Sequence, residues 1–171
     1  MDFFYKVKML NQWRFGVGGF VDLNCGWYCQ NALLLWYCEK NNLPINTINS
    51  SVKYNRTSFG FNPTDSLCRP IFISKNIFEY RDKLLKYGPI IVSGKVGLAN
   101  FSPFGGISHY VLIVGVRTKT NDIIIYDPLS ISFRNIKQSD PKIYKFNYFV
   151  KNIDETLIIN SYSVNAFINY K

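Results

Sequence analysis

His109-Tyr110-Val111-Leu112-Ile113-Val114-Gly115-Val116, a polar turn near Arg117 to Asn121, and Asp122-Ile123-Ile124-Ile125-Tyr126-Asp127 form the most informative stretch of the 171-residue chain. The two β-branched runs are similar in length and separated by a turn, which predicts adjacent antiparallel strands. Such a pairing brings the start of the first strand beside the end of the second. His109, the single histidine, is therefore expected near Asp127, where Pro128 terminates the strand. Pro89-Ile90-Ile91-Val92-Ser93 reads as a third strand, and Thr156 to Ile159 and Ser163 to Ile168 as two more.

The front half has a different period. Asn24-Cys25 opens a helical segment, GWYCQNALLLWYCEKNN, in which Cys29, Leu33, Leu35 and Trp36 recur at helical intervals and which Asn41-Asn42-Leu43-Pro44 ends. Ser74 is the expected N-cap of a second helix, KNIFEYRDKLLKY, with Ile77 and Leu84, and Phe78 and Leu85, seven residues apart. Gly88-Pro89 closes it. Tyr5 to Leu10 alternates like a short strand with one buried face, and residues 14 to 22, with three glycines, read as a loop. Residues 45 to 73, rich in Asn, Ser, Thr and Pro, take no assignment. The expected class is α+β: one domain over 1–171, with a helical part over about 1–88 and an antiparallel sheet over about 89–171.

Composition narrows the function classes. An apolar fraction of 47% without low-complexity blocks describes a chain able to bury a core, not a disordered or fibrous one. Apolar stretches fall far short of the roughly 20 residues that cross a bilayer, and the N-terminus lacks a basic region followed by an apolar one, so neither a membrane span nor a secretory signal is expected. The formal charge of +9 favours acidic partners. Its basic residues are scattered and no nucleic-acid motif accompanies them, so direct nucleic-acid binding is not expected. Three of the four cysteines fall in one helix, which argues for reduced thiols over a disulfide framework. Cys25, Cys29 and His109 lack the spacing of common zinc modules, so neither a metal nor a cofactor is expected.

Chemistry converges on Cys25. A thiolate is favoured at a helix N-terminus, where unpaired amides and the positive dipole end lie, and Cys25 sits there. His109 is the one histidine able to serve as its base, and Asp127 is placed to orient the imidazole. Together they have the composition of a Cys-His-Asp triad. Cys29, one turn further into the helix, is the alternative nucleophile, with less access to the helix end.

Asn24-Cys25-Gly26-Trp27-Tyr28 with Ala32 to Tyr37, Gly88-Pro89-Ile90-Ile91-Val92, Gly106 to Gly115 around His109, and Ile125-Tyr126-Asp127-Pro128 together resemble the papain-like cysteine peptidase superfamily. The pattern is most similar to small bacterial enzymes typified by plant-pathogen avirulence effectors and bacteriocin-leader peptidases, and covers roughly residues 7 to 150. The resemblance implies a papain-like fold in which the nucleophile helix packs on a C-terminal antiparallel sheet. It implies a peptidase acting through Cys25, His109 and Asp127, with Gln12 as an oxyanion donor. Gln12 lies thirteen positions before Cys25, beyond a glycine-rich insertion, and Gly26 stands where many relatives carry Trp. The resemblance further implies a toxin or effector made in a bacterial cytoplasm and delivered by a secretion system, with a protein substrate and an acidic immunity or inhibitor protein as partners. The same triad could instead deamidate or transamidate glutamine, and a nonenzymatic adaptor could keep the fold.

Taken singly, each residue has a plainer explanation. A free cysteine is usually a packed, inert thiol. A strand histidine can be a satisfied core residue, and Asp-Pro is an ordinary turn signal. Trp27, Tyr28, Trp36 and Tyr37 read as helix core, and Cys29, Cys38 and Cys68 as structural. The Asn-X-Ser/Thr triplets at Asn49, Asn55 and Asn100 have no signal peptide to support glycosylation.

Overall fold

Every strand pairing in the computed structural model, which describes residues 2–10, 25–42, 69–70, 73–95, 109–153 and 160–161, is antiparallel. The elements run β1 (Phe3–Phe4), α1 (Cys25–Asn41), β2 (Arg69–Pro70), α2 (Ile77–Tyr87), β3 (Ile90–Gly94), β4 (His109–Arg117), β5 (Asp122–Tyr126), β6 (Pro141–Lys145), α3 (Phe146–Lys151) and β7 (Asn160–Ser161). The sheet order is β2-β7-β3-β4-β5-β6, and β1 also pairs with β4. The architecture is α+β. The segments expected as strands at Thr156 to Ile159 and Ser163 to Ile168 lie outside the described residues.

β4 organises the sheet. One edge takes β3 along His109 to Ile113 and then β1 at Gly115 and Val116, while β5 pairs with the other edge. Gly115 is required at this junction: a Cβ there would fall 2.3 Å from the Phe3 carbonyl oxygen. The register also shifts between Ile113 and Gly115, leaving Val114 as an extra residue. That bulge changes the phase of the strand. Tyr110, Leu112 and Val114 join Cys29, Ala32 and Leu33 of α1 in one apolar cluster. Val111, Ile113 and Val116 join Ile77, Tyr80 and Leu84 of α2 and Phe146, Phe149 and Val150 of α3 in another. Both faces of the central strands are thus covered, which explains their uninterrupted apolar sequence. Each fully buried Leu or Ile contributes about 1.5–3 kcal/mol of transfer free energy.

Three expectations need correction. The paired strand near the N-terminus is Phe3–Phe4, not Tyr5 to Leu10, although Val7 and Met9 are buried between exposed Lys6, Lys8 and Leu10 as the alternation requires. Asn76, not Ser74, caps α2: its backbone is extended and its Oδ1 accepts the Phe78 amide at 2.9 Å. Ser74 Oγ turns instead to the Glu79 carboxylate. The division at residue 88 is also incomplete, because β1 joins the sheet and α3 lies within the sheet part. Of the two seven-residue pairs in α2, Ile77 and Leu84 face the core while Phe78 and Leu85 are exposed.

Gly88 makes the passage from α2 to β3 possible. Its amide donates to the Leu84 carbonyl at 2.8 Å, and its φ of 86° and ψ of −160° fall in a region that only glycine occupies readily. A Cβ at this position would lie 2.3 Å from the Trp36 ring, so helix α1 packs directly on the joint. Among the described residues no helix is long and apolar enough to cross a membrane.

Candidate functional site

Cys25 is the first residue of α1, so its amide belongs to the helix's unpaired first turn at the positive dipole end. The Cys29, Ala32 and Leu33 face of the helix lies in the β4 cluster and sets this end beside the start of the strand. His109 is the first residue of β4 and is 4% exposed. Leu112 pairs with Tyr126. Continued by one step, that register sets Asp127 opposite Val111 and diagonal to His109. The hairpin therefore brings them together, and His109 Nε2 lies 2.6 Å from Asp127 Oδ1.

The Cys25 thiol lies close enough to the same imidazole to act on its titration. With Nε2 committed to Asp127, Nδ1 is the ring nitrogen left for the thiol. Burial alone would push the His109 pKa down. Hydrogen bonds to Asp127 and Cys25, together with their negative charge, outweigh it and carry the value from 6.5 up to about 9. A pKa raised to about 9 favours the imidazolium at neutral pH, the form in which both ring nitrogens are donors.

Asp127 is fully buried. Its Oδ1 also accepts the Leu129 amide at 2.8 Å, and its carbonyl accepts both the amide and the hydroxyl of Ser130 at 2.9 Å. Asp at the first position and Pro128 at the second suit that turn. Ser139 ties the turn down from behind, donating its hydroxyl to the Ser130 carbonyl and its amide to the Met9 carbonyl, each at 2.8 Å. Sequence reasoning missed both serines, since a hydroxyl in a polar loop carries no signal until its burial is known.

The other cysteines differ. Cys29 is fully buried, and that burial, with the negative charge of Cys25 and Asp127, pushes its thiol well above the ordinary value. Burial raises Cys38 as well. Cys25 is the more exposed thiol and the one whose proximity raises the His109 pKa. Tyr28 and Trp36 pack against the α1 cluster and Tyr37 is buried. Gln12, Asn24, Cys68 and the three Asn-X-Ser/Thr triplets lie outside the described residues, as does the Trp27 side chain. Among the described residues, no group of three or more His, Cys, Asp or Glu is arranged to hold a metal. No family model matches the chain and no curated protein matches it significantly, so the His109–Asp127 bond and the proximity of Cys25 to that imidazole are the ground for a functional reading.

Proposed function

We propose that this chain is a papain-like thiol hydrolase acting as a cysteine peptidase. The observation that carries the reading is a buried imidazole with one nitrogen on a carboxylate and the other left for a thiol at a helix start. Cys25 Sγ, as thiolate, adds to a peptide carbonyl. The resulting oxyanion is met by the Cys25 amide and, on the strength of the family resemblance, by Gln12. His109 gives its proton to the leaving amine, and the C–N bond breaks to leave a thioester. The imidazole then takes a proton from water as the hydroxide adds; collapse of this second adduct releases the acid and restores the thiolate–imidazolium pair. Asp127 holds the ring throughout.

We further propose, from the same resemblance, a bacterial effector or toxin with a protein substrate in the recipient cell and an acidic inhibitor in the producer. The +9 charge suits such an inhibitor. Expression without it should then poison a host.

The test is N-terminal sequencing of fragments from a proteome exposed to wild-type, Cys25→Ala and His109→Ala proteins. New termini should arise with wild type alone, while both variants remain folded. Full cleavage by either variant overturns the reading. A one-dalton gain on target glutamines without chain cuts would assign deamidation instead.

A further inference from the structure

Lys6, Val7 and Lys8 face the last turns of α1 across a cavity of about 350 Å³ whose other walls are Trp36, Glu39 and Lys40. That volume suits a small ligand or a few peptide side chains. Counted along α1 at about 1.5 Å per residue, Lys40 lies roughly 22 Å from Cys25. The groove is therefore separate from the thiol site.

Its chemistry follows from the alternation at the N-terminus. Val7 and Met9 are buried, so Lys6 and Lys8 project outward. Backbone groups alternate sides in the same way. The Tyr5 amide donates to the Val114 carbonyl, the Met9 carbonyl accepts from the Ser139 amide, and the buried Val7 side chain lies in the α1 cluster, so the odd-numbered residues tie the segment to the body. Among the described residues the backbone groups of Lys6 and Lys8 make no such bond, which leaves them the pattern that an added strand would pair with. Lys40 brings a third ammonium, against the single carboxylate of Glu39.

Trp36 supplies an apolar wall without a stacking platform. Tyr5 meets its ring edge-on at 5.0 Å, Lys40 Nζ stands 5.0 Å from the ring centre, and Gly88 abuts it. Single-stranded nucleic acid needs open aromatic faces and an uninterrupted basic track, and this groove has neither. Carboxylates spaced along an extended chain fit three lysines beside an open backbone edge.

We propose that the groove binds an extended acidic peptide segment laid alongside Lys6 to Lys8, with carboxylates on Lys6, Lys8 and Lys40 and an apolar side chain against Trp36. The site is independent of Cys25 chemistry and stands whether or not the chain is a peptidase. Under the peptidase reading it holds an acidic stretch of substrate or inhibitor away from the scissile bond.

The test uses the full chain carrying Cys25→Ala, so that no cleavage intervenes, and a fluorescein-labelled peptide of alternating Glu and Leu read by anisotropy. Saturable binding is expected, weakening as salt rises. Lys6→Glu/Lys8→Glu should weaken it more than tenfold, and Lys6→Gln/Lys8→Gln by less; both pairs lie at exposed positions, and unchanged thermal unfolding confirms that they fold. Absence of saturable binding overturns the proposal. So does equal affinity in the charge-reversed protein, for a Lys-Leu peptide of the same pattern, or for a single-stranded oligonucleotide of equal charge.

Discussion

Asp127 Oδ1 accepts from two donors at once, His109 Nε2 at 2.6 Å and the Leu129 amide at 2.8 Å. The turn that positions the carboxylate and the imidazole it orients thus share one oxygen. Asp127→Asn keeps an acceptor there but removes the charge, so the His109 pKa should fall from about 9. Asp127→Ala should lower it further and, under the proposed function, reduce Cys25-dependent hydrolysis by about 10²–10⁴-fold. Ring-nitrogen NMR of His109 in the two variants checks the order; a His109 that titrates as in wild type in both refutes the coupling.

The His109 shift also predicts a pH dependence of stability. A folded pKa raised from 6.5 to about 9 stabilises the native state fully below about pH 6.5, and this contribution disappears as pH climbs through about 9. Its size is on the order of 3 kcal/mol at most. Urea unfolding of wild type and His109→Gln at pH 6 and pH 9.5 isolates it, since the difference between the proteins should shrink at the higher pH. A difference independent of pH would show that His109 is not held protonated.

Cys25 and Cys29, one turn apart in α1, should react very differently. Iodoacetamide should label Cys25 in the native protein and leave Cys29 untouched until unfolding, because Cys29 is fully buried and its burial disfavours the thiolate. Cys29→Ala should cost about 1 kcal/mol of stability and spare any Cys25-dependent activity. Mass mapping of the alkylated peptides decides between them; prior labelling of Cys29 would reverse the assignment.

How far the sequence could be read depends on how each element is buried. β3, β4 and β5 are covered on both faces and are written as continuous β-branched runs, and the short β4–β5 turn is enough to bring His109 to Asp127. β6 is different: exposed Pro141, Ile143 and Lys145 alternate with half-buried neighbours, and Pro141 marks the strand start where no ladder amide is needed. Its five residues resemble a loop, and α3, with six, is too short to display a period. The bulge at Val114 is equally silent, because valine suits either face. The serines around Asp127 become meaningful only when the turn is seen folded against Met9.

Gly88 should be among the least replaceable positions. Gly88→Ala places a methyl into the Trp36 ring and forces an L-residue into a glycine-only backbone region, so a loss of about 2–4 kcal/mol is expected. The two causes separate in a double-mutant cycle: Trp36→Ala removes the clash and leaves the strain, so the second alanine should cost less when the indole is already gone. Additive losses in urea unfolding would mean that the ring can yield and that backbone strain accounts for the whole effect.

Ser130 and Ser139 should act on the site through Asp127 and not through substrate. Ser139→Ala removes the hydroxyl bond to the Ser130 carbonyl and leaves that buried acceptor short of a partner, for a cost of about 1–3 kcal/mol. If the loop merely stabilises the fold, activity measured well below the unfolding temperature should be unaffected. If it positions the carboxylate, the His109 pKa should drop in Ser139→Ala while Cys25 alkylation slows, and Ser139→Thr, which retains the hydroxyl, should restore both. An unchanged His109 titration in a destabilised Ser139→Ala protein would confine these serines to stability.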